Sequence, residues 1–523
     1  MQNLGRGAVR GRPTGVDTVT ETIVLGLDGA NWDLLQPWLD EGRLPNIASL
    51  RDEGVWTDMQ SCLPPVTCPN WRCYTTGKNP GKLGVFWWER IDTDARTLTT
   101  PTSRSFESAN YWDYLNDEGL TAGVMNVPMT YPPFDVDDFL VAGGPDSEQD
   151  DYTHPPELGD ELDADGYRLH PETPVSSKAD REAAQGVVDL IDDRLVTFRE
   201  QLAARDVDVA HCTVFYINVL QHFFYRGAPT RDAWETIDEH IGAIREEYPD
   251  ATLMLMSDHG CRDIDTVFYA NSWLEEQGYL VTDEETTASA LDSLGINKER
   301  VGRLAHRLGV HDLVTKLTPD AVKNRVPDSD EGFRRERKLD MVDWDETRAI
   351  ASGQGLVYVV DGREETRDEI IEALADLESD VDGKPVASAV YTAEEAYDGP
   401  FTDDAPDIVF DQRPGVHTSG AIGSNPVFAE AGQWEAENVR TGLFLAAGPD
   451  VTADDVDPIS ITDIAPTVLH SVDCAVPDDV DGDPLSLFGD RAVETREPIP
   501  FDAATGSGRQ DVQDRLEDLG YLE

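Results

Sequence analysis

The stretch Ile23-Val-Leu-Gly-Leu27-Asp28-Gly29, followed further along by Leu63-Pro-Pro-Val-Thr67-Cys-Pro69-Asn-Trp71, decides the fold of this chain. The first is an apolar run that ends in an aspartate, as a buried parallel strand does when it carries a ligand to the edge of a sheet. In the second, Thr67 stands just before a helix opened by Pro69, where free backbone N–H groups favour an anion. A hydroxyl there, beside a metal held by a carboxylate, is a nucleophile suited to phosphoryl or sulfuryl transfer.

Two further segments place polar residues at the ends of apolar runs. Thr252-Leu-Met-Leu-Met-Ser-Asp258-His259-Gly260 reads as a second strand, and Phe215-Tyr-Ile-Asn218-Val-Leu-Gln221-His222 is interpreted as a third, with Asn218 and His222 four residues apart. A lone Asp-His-Gly is often only a polar turn after a strand. Three such strand ends, together with Thr67, predict a site at the carboxyl edge of a parallel sheet.

Alternation of apolar runs with amphipathic stretches predicts an α/β fold: a mostly parallel central sheet covered by helices on both faces. We expect one core over residues 21–282 and 341–487, a flexible tail over 1–20 and a C-terminal tail over 488–523. Residues 283–340 read as a helical insertion. From Lys298 to Lys338 this insertion has eleven basic and seven acidic residues, so it is either a solvated helical surface or a lid or docking arm that attracts an anionic substrate.

The composition is strongly acidic, with 42 Lys and Arg against 103 Asp and Glu and a net charge of −61. This charge argues against a nucleic acid polymer as partner. A hydrophobic content of 39% opposes a disordered acidic protein and favours a folded protein of a saline cytoplasm, where salt screens the repulsion.

Six cysteines without a CxxC pair predict neither a disulfide framework nor a zinc knuckle. The sequence predicts no membrane span, no secretory signal and a cytoplasmic location.

These motifs, with Gly42–Asn46, Thr76–Gly81, Met125–Pro133 and Asp463–Thr467, resemble the alkaline phosphatase superfamily. The nearest likeness is to its type I phosphodiesterase/nucleotide pyrophosphatase branch and to the predicted phosphohydrolase/phosphomutase group, from about Thr22 to about Leu487. The resemblance implies the alkaline-phosphatase-like α/β fold and a two-metal centre that clamps the oxygens of an in-line displacement.

The resemblance assigns one metal to Asp28, Thr67, Asp258 and His259, with Thr67 as the nucleophile. Carboxylates plus an imidazole suit zinc or manganese. At the second metal the chain departs from the family pattern Asp-x-x-x-His, because Asn218 precedes His222. An asparagine oxygen can bind a metal but is neutral, and Asn218, His222 and His417 are the residues expected to form this second site.

A late family histidine is also replaced, by Asn438. His417, predicted in a loop after the strand Asp407–Phe410, is either the substitute ligand or a loop cap, and His222 is either a ligand or a core histidine.

A phosphodiesterase or nucleotide pyrophosphatase is the leading interpretation, with a small-molecule phosphate ester or a nucleotide-sugar-like compound as substrate. The same centre also serves phosphomonoesterases and phosphomutases, and no short motif separates them. A sulfatase needs Cys or Ser as nucleophile and Arg where Trp71 stands. The two asparagines leave open a catalytically impaired relative that binds a phosphate ligand. The sequence does not indicate an oligomeric state.

Overall fold

The computed structural model describes residues 20–282 and 339–500. The predicted N-terminal tail, nearly all of the predicted insertion and the end of the predicted C-terminal tail therefore lie outside the described residues. The strands of the described part are β1 (Thr22–Leu27), β2 (Val55–Gln60), β3 (Arg90–Asp92), β4 (Thr97–Thr99), β5 (Ala122–Pro128), β6 (Asp138–Gly143), β7 (Thr153–His154), β8 (Val209–Val214), β9 (Thr252–Met256), β10 (Gly260–Asp263), β11 (Thr266–Tyr269), β12 (Ala349–Ala351), β13 (Leu356–Val359), β14 (Ala387–Thr392), β15 (Ile408–Gln412), β16 (Val416–Ser419), β17 (Phe428–Ala429), β18 (Ala436–Val439), β19 (Thr441–Ala447), β20 (Ile459–Ser460), β21 (Val476–Pro477) and β22 (Thr495–Arg496).

Helices alternate with the strands. They are α1 (Trp32–Asp40), α2 (Pro45–Glu53), α3 (Thr67–Thr76), α4 (Pro80–Leu83), α5 (Tyr111–Asp117), α6 (Glu157–Ala164), α7 (Arg181–Ala204), α8 (Tyr216–Phe224), α9 (Ala228–Glu247), α10 (Ala270–Glu276), α11 (Glu364–Ala375), α12 (Ala393–Ala396) and α13 (Ile464–Ser471). One group of flanking helices is formed by α2, α7, α8 and α9, and another by α3, α5 and α13.

A nine-stranded sheet forms the core, in the order β20-β2-β19-β9-β1-β8-β5-β6-β7. The strands β9, β1, β8, β5 and β6 run parallel to one another, whereas β19 is antiparallel to both of its neighbours. Strand β1 is buried along its whole length, as its unbroken apolar sequence requires when helices cover both faces. The structure thus confirms the predicted mostly parallel α/β sheet.

A smaller antiparallel sheet, β12-β13-β15-β14, has a hydrophobic cluster of its own. Ile350, Val357 and Phe410 of this sheet pack with Ile370 of α11 and with Trp273 of α10. The segment that was predicted as one continuous second half of the core therefore contains a separate packing unit. Strand β16, which leads out of this unit, pairs with β11.

Two predictions near the site are wrong. The segment from Phe215 to His222 was interpreted as a strand, but β8 ends at Val214 and Asn218 and His222 lie on helix α8, one turn apart. The aromatic and β-branched residues of this run suit a strand and a buried helix equally well. His417 was expected in a loop, but it lies within β16, where it is opposite Val267 of β11.

Candidate active site

The register of the central strands brings two carboxylates together. Gly26 of β1 lies opposite Met256 of β9, and an aspartate stands two residues after each of them, Asp28 just past β1 and Asp258 just past β9. Because the strands are parallel, both side chains arrive at the same edge of the sheet. Both aspartates are fully buried. The strand pairing itself therefore sets this pair of acidic groups.

One oxygen of each carboxylate is held by a protein N–H group. Trp71 Nε1 donates to Asp28 Oδ2 at 2.9 Å, and the backbone N–H of Gly29 donates to Asp258 Oδ1 at 3.2 Å. The other two oxygens, Asp28 Oδ1 and Asp258 Oδ2, are buried and face His259 Nε2. Two buried carboxylates this close together are costly without a positive charge between them, so this pair calls for a cation.

His259 brings a nitrogen to the same point. Its Nδ1 lies 3.0 Å from the carbonyl oxygen of Gly260, and its Nε2 lies 3.1 Å from Asp258 Oδ2 and 3.9 Å from Asp28 Oδ1. A ring that donates from Nδ1 to the carbonyl presents the lone pair of Nε2 when it is neutral. Ligand-type atoms of Asp28, Asp258 and His259 all lie within 4.8 Å of one another.

The pKa values of Asp28 and His259 are both shifted by the negative charge gathered at this point. Burial, followed by the charge of Asp258, raises the pKa of Asp28 well above its usual value. Burial alone would lower the pKa of His259, but Asp258 and Asp28 outweigh it and raise that pKa to about 9. In the absence of another cation, a proton on His259 is the positive charge that the carboxylates attract.

Thr67 is the first residue of helix α3, and its hydroxyl oxygen lies 3.4 Å from His259 Nε2. The loop that leads into this helix is fastened by Asn70. Its side-chain amide donates to the carbonyl oxygens of Pro64 and Val66, both at 2.9 Å, and its Oδ1 accepts from the N–H of Cys62 at 2.8 Å. Trp71 follows Thr67 by one helical turn, and its indole thereby reaches Asp28. One short helix thus positions both the hydroxyl and the support for a carboxylate.

Two glycines make room for this arrangement. A Cβ atom on Gly26 would lie 2.4 Å from the Trp71 ring, and a Cβ atom on Gly29 would lie 2.3 Å from Asn218 Oδ1. Gly29 also has φ +66°, in the left-handed region that glycine adopts without strain. The motif Gly-Leu-Asp-Gly is therefore required by the close approach of α3 and α8 to the end of β1.

A second group of polar side chains lies beside the first, on α8, β16 and β18. His222 Nδ1 lies 2.8 Å from the carbonyl oxygen of Ala436, and its ring stacks on Trp434 with centroids 4.0 Å apart. Burial lowers the pKa of His222 to about 4, so the ring is neutral at neutral pH. The ring of His417 packs against the same Trp434 indole, with ring centroids 5.4 Å apart. Asn218, one helical turn before His222, lies against Gly29 at the end of β1, which places the two groups side by side.

Glu437 is the member of this group that the sequence analysis missed. It is fully buried on β18, and His417 Nδ1 contacts its Oε2 in a short ion pair. Its Oε1 accepts from Gln354 Nε2 at 2.5 Å and from the N–H of Asn438 at 2.7 Å. Burial alone would raise the pKa of Glu437, but His417 outweighs it and holds that pKa below its usual value.

The predicted site residues thus divide into two sets. Asp28, Thr67, Asp258 and His259 lie together, whereas Asn218 and His222 approach from α8 and His417 approaches from β16. Gln221 connects the sets, because its Nε2 lies 3.1 Å from the carbonyl oxygens of Asp28 and Gly29 and 3.2 Å from Asn218 Oδ1. Trp71 was predictable from its spacing to Thr67, but no sequence signal singles out Gln221 or Glu437.

A family model matches most of the chain. The model of the type I phosphodiesterase/nucleotide pyrophosphatase family matches residues 22–438, a range that includes every site residue named above. The chain belongs to this family, whose members are phosphoester hydrolases of the alkaline phosphatase superfamily.

Solved structures share the fold. Phosphonoacetate hydrolase from Sinorhizobium meliloti 1021, in complex with phosphonoformate, is 14% identical with a TM-score of 0.51, over 89% of this chain and 98% of that one. Murine ectonucleotide pyrophosphatase/phosphodiesterase 5 is 12% identical with a TM-score of 0.50, over 88% of this chain and 97% of that one. At these identities the likeness concerns the fold alone.

No curated protein matches the chain. In the described part of the chain, no helix combines the length and the hydropathy needed to cross a bilayer.

Proposed function

We propose that this protein is a metal-dependent phosphodiesterase or nucleotide pyrophosphatase in which Thr67 is the nucleophile. The observation that carries the proposal is the pair of fully buried carboxylates, Asp28 and Asp258, whose oxygens Oδ1 and Oδ2 face His259 Nε2. The Thr67 hydroxyl is 3.4 Å from that same nitrogen. Two carboxylates, an imidazole and a hydroxyl form a donor set that fits zinc or manganese.

The residues divide the chemistry between them. A divalent ion held by Asp28, Asp258 and His259 supplies positive charge that lowers the pKa of the Thr67 hydroxyl and attracts the phosphate. Thr67 Oγ1 forms a bond to phosphorus while the bond from phosphorus to the leaving oxygen breaks, and the hydroxyl proton passes to solvent. Water then attacks the phosphothreonine, the bond between phosphorus and Oγ1 breaks, and a proton returns to Thr67. Backbone N–H groups at the start of α3 stabilise the phosphoryl oxygens.

The test is hydrolysis of bis-p-nitrophenyl phosphate and p-nitrophenyl phosphate with zinc or manganese, by the wild type and by Thr67→Ala and Thr67→Ser. We expect Thr67→Ala to lose at least about 10³-fold in kcat, as removal of a nucleophile does, and Thr67→Ser to keep part of the activity. Thr75→Ala is the matched control, because Thr75 is a buried threonine on the same helix that bonds to Asn110 instead of the site.

The outcomes separate the remaining functions. Faster turnover of the diester supports a phosphodiesterase, and faster turnover of the monoester supports a phosphomonoesterase or phosphomutase. Full activity in Thr67→Ala would refute the assignment of Thr67 as the nucleophile. Folded protein that binds metal but hydrolyses neither compound would favour a binding protein, to which the neutral Asn218 and Asn438 point.

We also infer from the net charge of −61 that the protein works in a saline cytoplasm, since salt screens repulsion between surface carboxylates. The assay is therefore run in multimolar potassium chloride and in dilute buffer. Loss of structure in dilute buffer would support this inference, and equal stability in the two would contradict it.

A further inference from the structure

Helix α3 presents three side chains to the central sheet from one face. Thr67, Trp71 and Tyr74 recur at positions i, i+4 and i+7, which lie one above the other on a helix. Thr67 reaches His259 and Trp71 reaches Asp28, as described for the site. The third side chain, Tyr74, is fully buried and reaches the sheet at a different point.

Tyr74 is hydrogen-bonded to a histidine in the interior of the sheet. Its hydroxyl oxygen lies 2.7 Å from His211 Nδ1, and His211 Nε2 lies 2.8 Å from Thr213 Oγ1. Because each partner is a hydroxyl group, which can donate or accept, both hydrogen bonds form with either neutral tautomer of the ring. Burial lowers the pKa of His211 to about 3, so the ring is neutral at neutral pH. Both nitrogens of this fully buried imidazole therefore have protein partners.

His211 acts at a distance from the proposed metal ligands. It lies on β8 opposite Val24 of β1, which stands four residues before Asp28, about 13 Å along a strand. Trp71 connects the two levels of the sheet. Its indole packs edge to face against the Tyr74 ring, with centroids 5.9 Å apart, and against the His211 ring, at 6.1 Å, while its Nε1 donates to Asp28.

We propose that Tyr74 and His211 are positioning residues for the Thr67 nucleophile, because their hydrogen bond fixes helix α3 on the sheet. This inference rests on the proposed function for the role of Thr67. Tyr74 lies two helical turns after Thr67, so a helix anchored at Tyr74 holds the Thr67 hydroxyl and the Trp71 indole in place together. The anchor matters for catalysis because a displacement of about 1 Å at a reacting atom can cost about 100-fold in rate.

The test compares two tyrosines that face the same imidazole. Tyr74→Phe removes a hydroxyl group carried by α3, whereas Tyr111→Phe removes a hydroxyl group carried by α5, which lies 3.5 Å from the same His211 Nδ1 atom. Both tyrosines are buried, and each variant keeps its aromatic ring. Tyr111→Phe is therefore the matched control, since it disturbs the same histidine without releasing α3.

The first measurement is the hydrolysis of bis-p-nitrophenyl phosphate with saturating metal, at a temperature where circular dichroism shows that each variant is folded. We expect Tyr74→Phe to lose about 10-fold or more in kcat with KM within about threefold of the wild type, and Tyr111→Phe to keep both values. A purely structural hydrogen bond would instead lower the stability of Tyr74→Phe and leave its kcat unchanged.

The second measurement needs neither metal nor turnover. Hydrogen exchange of the metal-free protein, followed by mass spectrometry, reports how firmly a helix is held in the native state. We expect the amides of α3 (Thr67–Thr76) to exchange faster in Tyr74→Phe than in the wild type, and at the wild-type rate in Tyr111→Phe. Equal exchange in Tyr74→Phe and the wild type would overturn the anchoring of α3 by this hydrogen bond.

His211→Gln tests whether the two residues act through their mutual contact. If they do, Tyr74→Phe, His211→Gln and the double variant should have kcat values within about threefold of one another. Losses that multiply in the double variant would overturn the shared role.

The outcomes distinguish this inference from the proposed function. If Thr67→Ala is inactive while Tyr74→Phe is as fast as the wild type, the positioning role is overturned and the proposed hydrolase stands. Hydrolysis of neither compound by the folded, metal-loaded wild type would overturn the proposed function and, with it, this inference.

Discussion

The hydrogen bond from Trp71 to Asp28 permits a sharp test of how the protein supports its proposed metal ligand. Trp71 Nε1 holds Asp28 Oδ2 at 2.9 Å, while Oδ1 faces His259. Trp71→Phe keeps an aromatic side chain at this position of α3 but removes the N–H group that donates to Asp28. The carboxylate then loses one donor and part of its orientation, although every group that contacts the ion directly is unchanged.

The expected size follows from the charge on the acceptor. A hydrogen bond to a charged group contributes about 1.5–3 kcal/mol, and the loss of such a supporting contact weakens metal binding by about 10- to 100-fold. We therefore expect the zinc affinity of Trp71→Phe to fall by about 10- to 100-fold, measured by competition with a chromophoric chelator.

Trp112→Phe is the control for this experiment. Trp112 is fully buried like Trp71, but its Nε1 donates to none of the described residues and it lies on α5. The control should lose packing yet keep the affinity of the wild type. If both variants bind zinc within about threefold of the wild type, the hydrogen bond does not orient Asp28 for a metal and the reasoning fails.

Two further predictions concern buried groups outside the site. Arg72 is fully buried, its guanidinium donates to none of the described residues, and it lies over the rings of Phe106 and Phe134. Arg72→Met should therefore leave the free energy of unfolding unchanged or raise it by about 1–3 kcal/mol. A decrease of more than about 2 kcal/mol in urea unfolding would show that the guanidinium has a stabilising partner. Burial lowers the pKa of His211 to about 3, so acidification from pH 7 to pH 5 protonates this side chain in the unfolded chain but not in the native one, and it removes about 2 kcal/mol of stability. The stability difference between the wild type and His211→Gln should shrink by about that amount over this range, and a difference independent of pH would contradict it.

The parts of the fold that the sequence predicts are those that depend on local patterns. Strand β1 was expected where the structure has it, because an unbroken apolar run that ends in an aspartate is distinctive. The junction after β8 was not predicted, since Phe215 to Leu220 is hydrophobic apart from Asn218 and the turn into α8 has no Gly or Pro. The four-residue spacing of Asn218 and His222 suited a helical turn better than a strand.

The site shows the same division. The end of β1 and the end of β9 were predicted to meet because parallel strands deliver their ends to one edge, and the structure brings Asp28 and Asp258 there. The contact between His417 and Glu437 depends on how β16 and β18 are brought together by β10 and β11, which is tertiary pairing. No local sequence pattern predicts that a glutamate is buried, so the position of Glu437 in the site could be found only from the structure.

The position of the two aspartates in the middle of the nine-stranded sheet has a kinetic consequence. Strands β1 and β9 are each paired on both sides, so exposing these carboxylates by local opening would require breaking the most protected hydrogen bonds of the molecule. Fraying of the outer strands β7 and β20 leaves that pairing intact. We therefore expect the rate at which an ion exchanges at Asp28 and Asp258 to be independent of fraying at β7 and β20.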